Sequence, residues 1–469
     1  MEPKEPKPFA VLASTSLAVF AVFLDTTILF VAFPSIRSAF SGVQPSSLSW
    51  VLNAYTIVFA ALLIPAGRLA DRVGRRKTFL GAVVLFTVAS MLCGLAPNVG
   101  LLVAARVLQA VGAAALVPSS LAMVLQTFPR EKVPFAVAIW GAIGAVAGAA
   151  GPTLGALIVQ NFSWRWAFFV NLPVGIVSLT LGSRVLPASR ANRTGPIPDL
   201  SSVGLLAGGL ALLAYGIVKQ HDWGWGGGLL GVLSAATVLL VTFVRRSVRV
   251  HNPLVEPRLF SDPAFRWGNV AMLAFAIGFN AMFLGNVLFL TQVWQYSILR
   301  AGLVISVGPL IVAATAPFLG RLAGRVGQRR LLIPGGLIWA IGGALLISRA
   351  TVTPHYLSQY LPAIVVTALG VAFVLPQLSS AAVQGLPADQ FGTGSAVTQA
   401  VRNLGATLGV ALAVAFTAGV SRGSALAAFH RVWYLLVASG ISVSLLALLL
   451  PPRRSPAPVV VPVPVVVRA

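Results

Sequence analysis

Fourteen apolar runs, each close to the ~20 residues that cross a bilayer, follow one another along this chain. They fall at 9–34, 48–67, 78–96, 99–124, 134–158, 165–186, 201–218, 227–244, 267–293, 301–320, 331–349, 355–379, 394–418 and 431–451. In hydrocarbon every backbone N–H and C=O must find its partner inside the segment, and runs of this length do so as helices. Only 9% of the residues are charged and 57% are hydrophobic, where a soluble domain carries roughly a quarter charged. The expected fold class is an all-α polytopic membrane protein. Glycine dilutes the helical signal in the two runs flanking HDWGWGGG. Both are kept, because losing either one would invert every later loop.

Loop charge fixes the expected orientation. With the N-terminus inside, 24 of the 33 Lys and Arg fall in cytoplasmic tails and loops, 7 fall outside, and Arg106 and Arg402 lie within spans. That excess is the positive-inside pattern, and it predicts both termini in the cytoplasm of a cell with this protein in its plasma (or inner) membrane. The net charge of +23 does not indicate nucleic acid, because no polar domain gathers the basic residues on one face. Cys93 is the single cysteine, which excludes a disulfide framework and a cysteine metal site. MEPKEPKPF runs straight into the first span and lacks the features of a signal peptide. The four histidines sit in loops or at span ends and no two acids share a membrane depth, so neither a nucleophile with its base nor a metal site is expected.

Two phrases repeat. GRLADRVGRRK, from Gly67, follows span 2, and GRLAGRVGQRR, from Gly320, follows span 10; they agree at eight of eleven positions. Setting spans 7 and 8 aside places each copy after the second span of a six-span half. Repeated halves with a substrate site between them at mid-membrane are a common transporter plan. The expected domains are residues 1–186, an insert at 187–265 with two extra helices, residues 266–453, and a Pro/Val-rich tail at 454–469.

GRLADRVGRRK resembles the loop signature of the major facilitator superfamily. Further phrases resemble that superfamily's fourteen-span drug:proton antiporter family: LDTTILFVAFP in span 1, RVLQAVGAAALVP in span 4, GAIGAVAGAAGPTLGALI in span 5 and WRWAFFVNLPVG at span 6. The resemblance runs in register to about residue 451. It implies the major facilitator fold and a multidrug-efflux antiporter, working as a monomer and needing no cofactor beyond the proton gradient. The second loop departs from the pattern, with Gly324 where the first has Asp71.

Asp25 is the one carboxylate inside a span; the other nine acids lie in tails or loops. A charge at mid-bilayer costs roughly 2.5–3.5 kcal/mol on insertion scales and normally faces a cavity and a partner. Asp25 lies ~13 Å below the outer end of span 1, and Arg106 lies ~10 Å into span 4, at 1.5 Å per residue. Burial favours the neutral acid and a neighbouring guanidinium favours the carboxylate, a balance suited to proton coupling. A permanent ion pair joining spans 1 and 4 is the plainer alternative.

Gly144, Gly148, Gly151 and Gly155 fall on one face of span 5, where small residues admit another helix closely, and Pro152 removes a backbone donor. Ordinary packing explains that face as it stands; the resemblance adds that it marks exporters. In the loop motif, Gly74 permits a tight turn among Gly67, Arg68, Asp71, Arg72, Arg75 and Arg76. A solvated Asp71 pair is worth about 0–1 kcal/mol; the resemblance implies instead a latch on the outward-facing state. Asn53, Tyr55, Gln109, Asn280, Asn286, Gln292, Trp294 and Gln399 are candidates to line the pathway, although each could equally join two helices. With its one buried acid paired, the cavity suits a lipophilic or weakly cationic small molecule. A lipid or lysolipid translocator on the same fold is the main competitor, ahead of a membrane sensor or intramembrane enzyme.

Overall fold

The computed structural model describes residues 8–129, 132–187, 199–224, 226–250, 253–384, 386, 391–418 and 425–452. The expected tail and most of the loop PASRANRTGPIPD lie outside them. Among these residues fourteen long helices carry the expected spans: α1 Pro8–Ala39, α2 Trp50–Val73, α3 Arg75–Leu95, α4 Val99–Thr127, α5 Val133–Asn161, α6 Asn171–Val185, α7 Leu200–Trp223, α8 Gly227–Arg249, α9 Pro263–Leu288, α10 Ile298–Val326, α11 Gln328–Arg349, α12 Leu361–Gln384, α13 Phe391–Thr417 and α14 Ala425–Leu448. Among the described residues thirteen spans satisfy length and hydropathy together, and α5 is a further helix of 29 residues. The two glycine-diluted runs are helical throughout.

Capping starts several helices where the sequence places Asn, Ser or Asp. Asn98 accepts from the Leu101 N–H at 2.9 Å, Asp262 from Phe265 at 2.8 Å and Ser297 from Arg300 at 3.2 Å, each satisfying an orphan donor of the first turn. At the repeat, Gly74 (φ +111°) and Gly327 (φ +89°) occupy equivalent turns, between α2 and α3 and between α10 and α11. Positive φ is natural only to glycine, so the turn itself requires the repeated residue.

Helix packing reproduces the repeat. Pairings α1–α5, α2–α4, α3–α4, α1–α6 and α3–α6 recur as α9–α13, α10–α12, α11–α12, α9–α14 and α11–α14. The two bundles meet mainly along α2–α13 and α5–α10, with α7 against both α2 and α13. Helix α8 packs chiefly on α7, and only 11% of its most apolar stretch is buried, so it presents its flank to lipid. Asp199 ties this pair: it accepts from Ser202 N at the start of α7 and pairs with Arg246 of α8 at 2.9 Å. The hydrogen bond from Arg246 holds the Asp199 carboxyl down at about 2. A lowered carboxylate contributes stability above its unfolded pKa, ~4, and loses it as pH falls through the folded value. Asp199→Asn is therefore expected to lower Tm at pH 7, and the difference is expected to vanish near pH 2.

The Arg-rich turns mark one face of the molecule, here called the basic end, and the opposite face is the far end. Among the described residues the hydrogen bonds joining the bundles lie towards the far end. Thr56 of α2 meets Thr407 of α13 at 2.7 Å, Thr153 of α5 meets Ser306 of α10 at 2.5 Å, and Gln160 accepts from Leu299 N at 3.4 Å. Phe30 of α1 packs on Phe283 of α9, centroids 5.2 Å apart. The bundles are pinched together at the far end.

Candidate functional site

Asp25 is 1% exposed and Arg106 is 1% exposed; their depths match as the helical rise predicts. Arg106 Nη1 donates to Asp25 Oδ2 at 2.6 Å. Gln109, one turn along α4, donates from Nε2 to Asp25 Oδ1 at 2.8 Å and to Ser90 Oγ of α3 at 2.7 Å. Asn171, at the start of α6, donates to the same Oδ1 at 2.9 Å. The carboxylate thus accepts from three side chains on two other helices, which is how a buried charge is retained.

Arg106 is fixed as firmly. Its Nε donates to Val51 O at 3.1 Å, Nη1 also reaches Gln109 Oε1, and the guanidinium carbon stands 4.0 Å from the Tyr55 ring centroid. Cation–π contact of this kind is strengthened by desolvation. The whole cluster lies inside the N-terminal bundle. Beside it the Tyr55 hydroxyl is buried without a hydrogen-bond partner among the described residues. Buried polar groups are normally paired, so this conformation leaves hydrogen-bonding capacity unused next to the ion pair.

The glycine face of α5 turns on α1. A Cβ built on Gly144 would lie 3.1 Å from the Phe23 ring, one on Gly155 would lie 3.1 Å from Ile28 Cα, and one on Gly151 would overlap Thr27; Gly148 has open space. The other side of α5 meets the second bundle. A Cβ on Gly302 of α10 would collide with Ala156 and come 2.7 Å from the Pro152 carbonyl. Helix α5 is therefore wedged between its own bundle and the partner bundle, with no room for an added carbon at Gly151 or at Gly302 and only tight room at Gly144 and Gly155.

In the loop motif Asp71 is exposed and pairs with Arg75 at 2.8 Å, one turn away. Arg75 also reaches Ala122 O of α4 at 3.5 Å, Arg76 donates to Ser183 O of α6 at 2.7 Å, and Arg68 donates to Pro253 O beyond α8 at 2.8 Å. A Cβ built on Gly67 would meet Pro118 of α4 only at ordinary contact distance, and Arg72 lies on the last turn of α2. Asp71 forms no hydrogen bond to the second bundle among the described residues.

The eight polar candidates for the pathway divide by location. Tyr55 and Gln109 contact Arg106, whereas Asn53 is buried on α2 with both side-chain polar atoms unpartnered among the described residues. Asn286 accepts from Trp433 Nε1 at 3.2 Å, and Trp294 donates to Thr351 O at 2.8 Å within an aromatic cluster that includes Tyr360; both serve contacts inside the C-terminal bundle. Asn280 bonds to its own helix at Ala276 O. Gln292 lines a far-end groove of about 460 Å³ with Pro34 and Arg37. Gln399 lines a cleft in the C-terminal bundle with Met272, Ser379 and Arg402. Asn171 and Ser90 were not singled out by sequence reasoning. Asn171 stood inside the quoted phrase WRWAFFVNLPVG; Ser90 gave no signal.

Comparison with known proteins decides the family. The model of the Major Facilitator Superfamily matches residues 15–410 and, again, 270–465. The chain belongs to the Major Facilitator Superfamily. It is 35% identical over 422 residues to the cephamycin export protein CmcT of Amycolatopsis lactamdurans, covering 88% of this chain and 85% of that one. The tetracenomycin C resistance and export protein of Streptomyces glaucescens is 32% identical over 414 residues, 87% of this chain and 75% of its own. The multidrug resistance protein Stp of Mycobacterium tuberculosis is 33% identical over 404 residues, 86% of this chain and 74% of its own. Among solved structures, the peptide transporter POT in complex with sulfate superposes with a TM-score of 0.67 at 15% identity, covering 95% of this chain and 96% of that one. That likeness is one of fold. This superfamily member is thus a multi-pass membrane transporter grouped with drug and antibiotic exporters.

Proposed function

We propose that this chain exports lipophilic small molecules across the plasma membrane by proton-coupled alternating access, as a monomer, with Asp25 carrying the proton and Arg106 as its counter-charge. The observation that carries the reading is the Asp25 cluster: the one intramembrane acid of the sequence, held by Arg106, Gln109 and Asn171 inside one bundle. Protonation cancels the charge that holds Arg106, so the donors around Asp25 must find other partners. The Tyr55 hydroxyl, on whose ring Arg106 already lies, offers such a partner. A two-state packing of this kind converts proton binding into helix movement, since a ligand shifts an equilibrium only through differential affinity for its states.

Loop charge places the basic end in the cytoplasm. The pinched far end then faces outside, and the arrangement is the inward-facing one. The relatives' names, for cephamycin and tetracenomycin C export and multidrug resistance, support export as the direction. The energy source is the proton gradient, with no cofactor and no covalent chemistry. The test is the purified full chain in liposomes: an inward proton gradient should drive concentrative movement of a lipophilic probe, and movement that stops at equal concentrations would overturn coupling.

The loop motif fits the same cycle. In the inward-facing arrangement Asp71 bonds within its own bundle, as a latch that engages only in the other state must. Asp71→Asn is expected to raise the inward-facing population and slow turnover while leaving Tm and expression nearly unchanged. Spin labels at Gln126 of α4 and Ser380 of α12, both exposed at the basic end, report the opening. Identical distance distributions in wild type and Asp71→Asn would leave the motif with its topological role alone.

A further inference from the structure

Arg402 is the second basic residue inside the spans, and its surroundings are the reverse of those of Arg106. It sits near the middle of α13, on the wall of a cleft of about 150 Å³ shared with Met272 of α9, Ser379 of α12 and Ser395, Thr398 and Gln399 of its own helix. Among the described residues it has no ion-pair partner. Its guanidinium instead stands 6.0 Å from the Phe23 ring of the opposite bundle. The one intramembrane acid is already committed to Arg106.

The rest of the cleft adds no negative charge. The hydroxyls of Ser379 and Thr398 spend their protons on backbone carbonyls of their own helices. Gln399 donates to Asn403 Oδ1 at 3.4 Å, while the neighbouring Asn403 Nδ2 is buried with no acceptor. With those protons spent the Ser379 and Thr398 hydroxyls offer acceptor oxygens, so the Arg402 guanidinium is the one charged donor among the residues lining this cleft. A guanidinium at this depth ordinarily pairs, and its planar fork matches carboxylate and phosphate oxygens.

We propose that Arg402 is the charge-recognition residue of the substrate site, and that the substrate class is a lipophilic monoanion: a carboxylate, sulfonate or phosphate ester on an apolar body. The proposal rests on the export reading above and gives it a charge. It reverses the weakly cationic preference expected from the sequence, because the carboxylate that would attract a cation is sealed in the other bundle. It also divides the work between the halves, with proton exchange at Asp25 in the first and anion recognition at Arg402 in the second. Export of a monoanion moves negative charge outward, the direction that an inside-negative potential favours.

The test uses three probes with one fluorophore: dansylglycine (a monoanion), dansylglycinamide (neutral) and dansylcadaverine (a monocation). Binding to the purified full chain is read by energy transfer from tryptophan. The wild type should bind the anion roughly ten- to hundred-fold more tightly than the amide, the usual range for a charged hydrogen-bonded contact. Arg402→Gln should erase that preference without changing amide affinity, and Arg402→Lys should keep part of it. Displacement of dansylglycine by lysophosphatidylglycerol but not by lysophosphatidylcholine would support the site and assign its anion to a lipid headgroup. Absence of an anion preference in the wild type, or a preference that survives Arg402→Gln, overturns the proposal. Gradient-driven flux in liposomes is scored separately. Flux without anion preference removes the Arg402 site and leaves the export reading, whereas anion binding without flux removes the export reading and leaves the site.

Discussion

Asp25→Asn is expected to abolish concentrative export while leaving downhill exchange of substrate in place. One proton per substrate and a pH step of one unit support roughly a tenfold concentration ratio, since each unit is worth ~1.36 kcal/mol. The wild type should approach that ratio in liposomes and the variant should stop near unity. Asparagine keeps the shape and much of the hydrogen bonding of the carboxyl, so the lost property is the proton. Any concentrative movement by Asp25→Asn that follows the pH gradient would refute Asp25 as the carrier.

The single substitution has a side effect that must be separated from coupling. It leaves Arg106 buried at 1% exposure with no counter-charge, and breaking a buried pair from one side typically costs ~3–5 kcal/mol. A low Tm would then be confounded with lost transport. The double variant Asp25→Asn with Arg106→Gln removes both charges and with them the penalty. Its Tm should recover most of the loss, while its accumulation ratio should remain near one. Recovery of stability together with concentrative export would reduce the pair to a strut between α1 and α4.

The sequence carried the architecture because two of its constraints are local. A span announces itself by length and hydropathy, and a repeated glycine announces a turn that only glycine makes without strain, as at Gly74 and Gly327. The match between Asp25 and Arg106 was legible for a similar reason: helical rise converts position into depth, and the membrane allows few charges at that depth. The remaining ligands were not legible. Ser90 and Asn171 reach Asp25's cluster by the rotation of α3 and α6 about their axes, which a nearly uniform apolar sequence does not fix. The same uncertainty applied to Asn286 and Trp294, whose polar atoms are taken up by Trp433 and Thr351, and to Arg402, whose facing depends on how the bundles meet. Polar residues in spans reveal that something pairs with them, and only the packing reveals what.

The packing between bundles yields the other large expected effect, at Gly302. A valine there has nowhere to go, because even its Cβ would meet Ala156 and the Pro152 carbonyl of α5. Helix α5 cannot retreat in compensation, since Gly151 and Gly155 already press it against Thr27 and Ile28 of α1. The clash exists only while the far end is closed, so Gly302→Val penalises that state selectively. Overpacking costs ~1–3 kcal/mol, which multiplies the far-end-open population by roughly five- to 150-fold when it falls on one conformer alone. Transport should drop by about tenfold or more, because the cycle must pass through the penalised state, while each bundle keeps its own core. Spin labels at Phe162 and Val352, exposed at the far ends of the two bundles, should move apart in the variant, and labels at Gln126 and Ser380 at the basic end should move together. Gly148→Val serves as the control: its position on α5 faces open space, so it should change neither distance. Unchanged distances in Gly302→Val with normal transport would mean that the α5–α10 contact is not the closure of the far end.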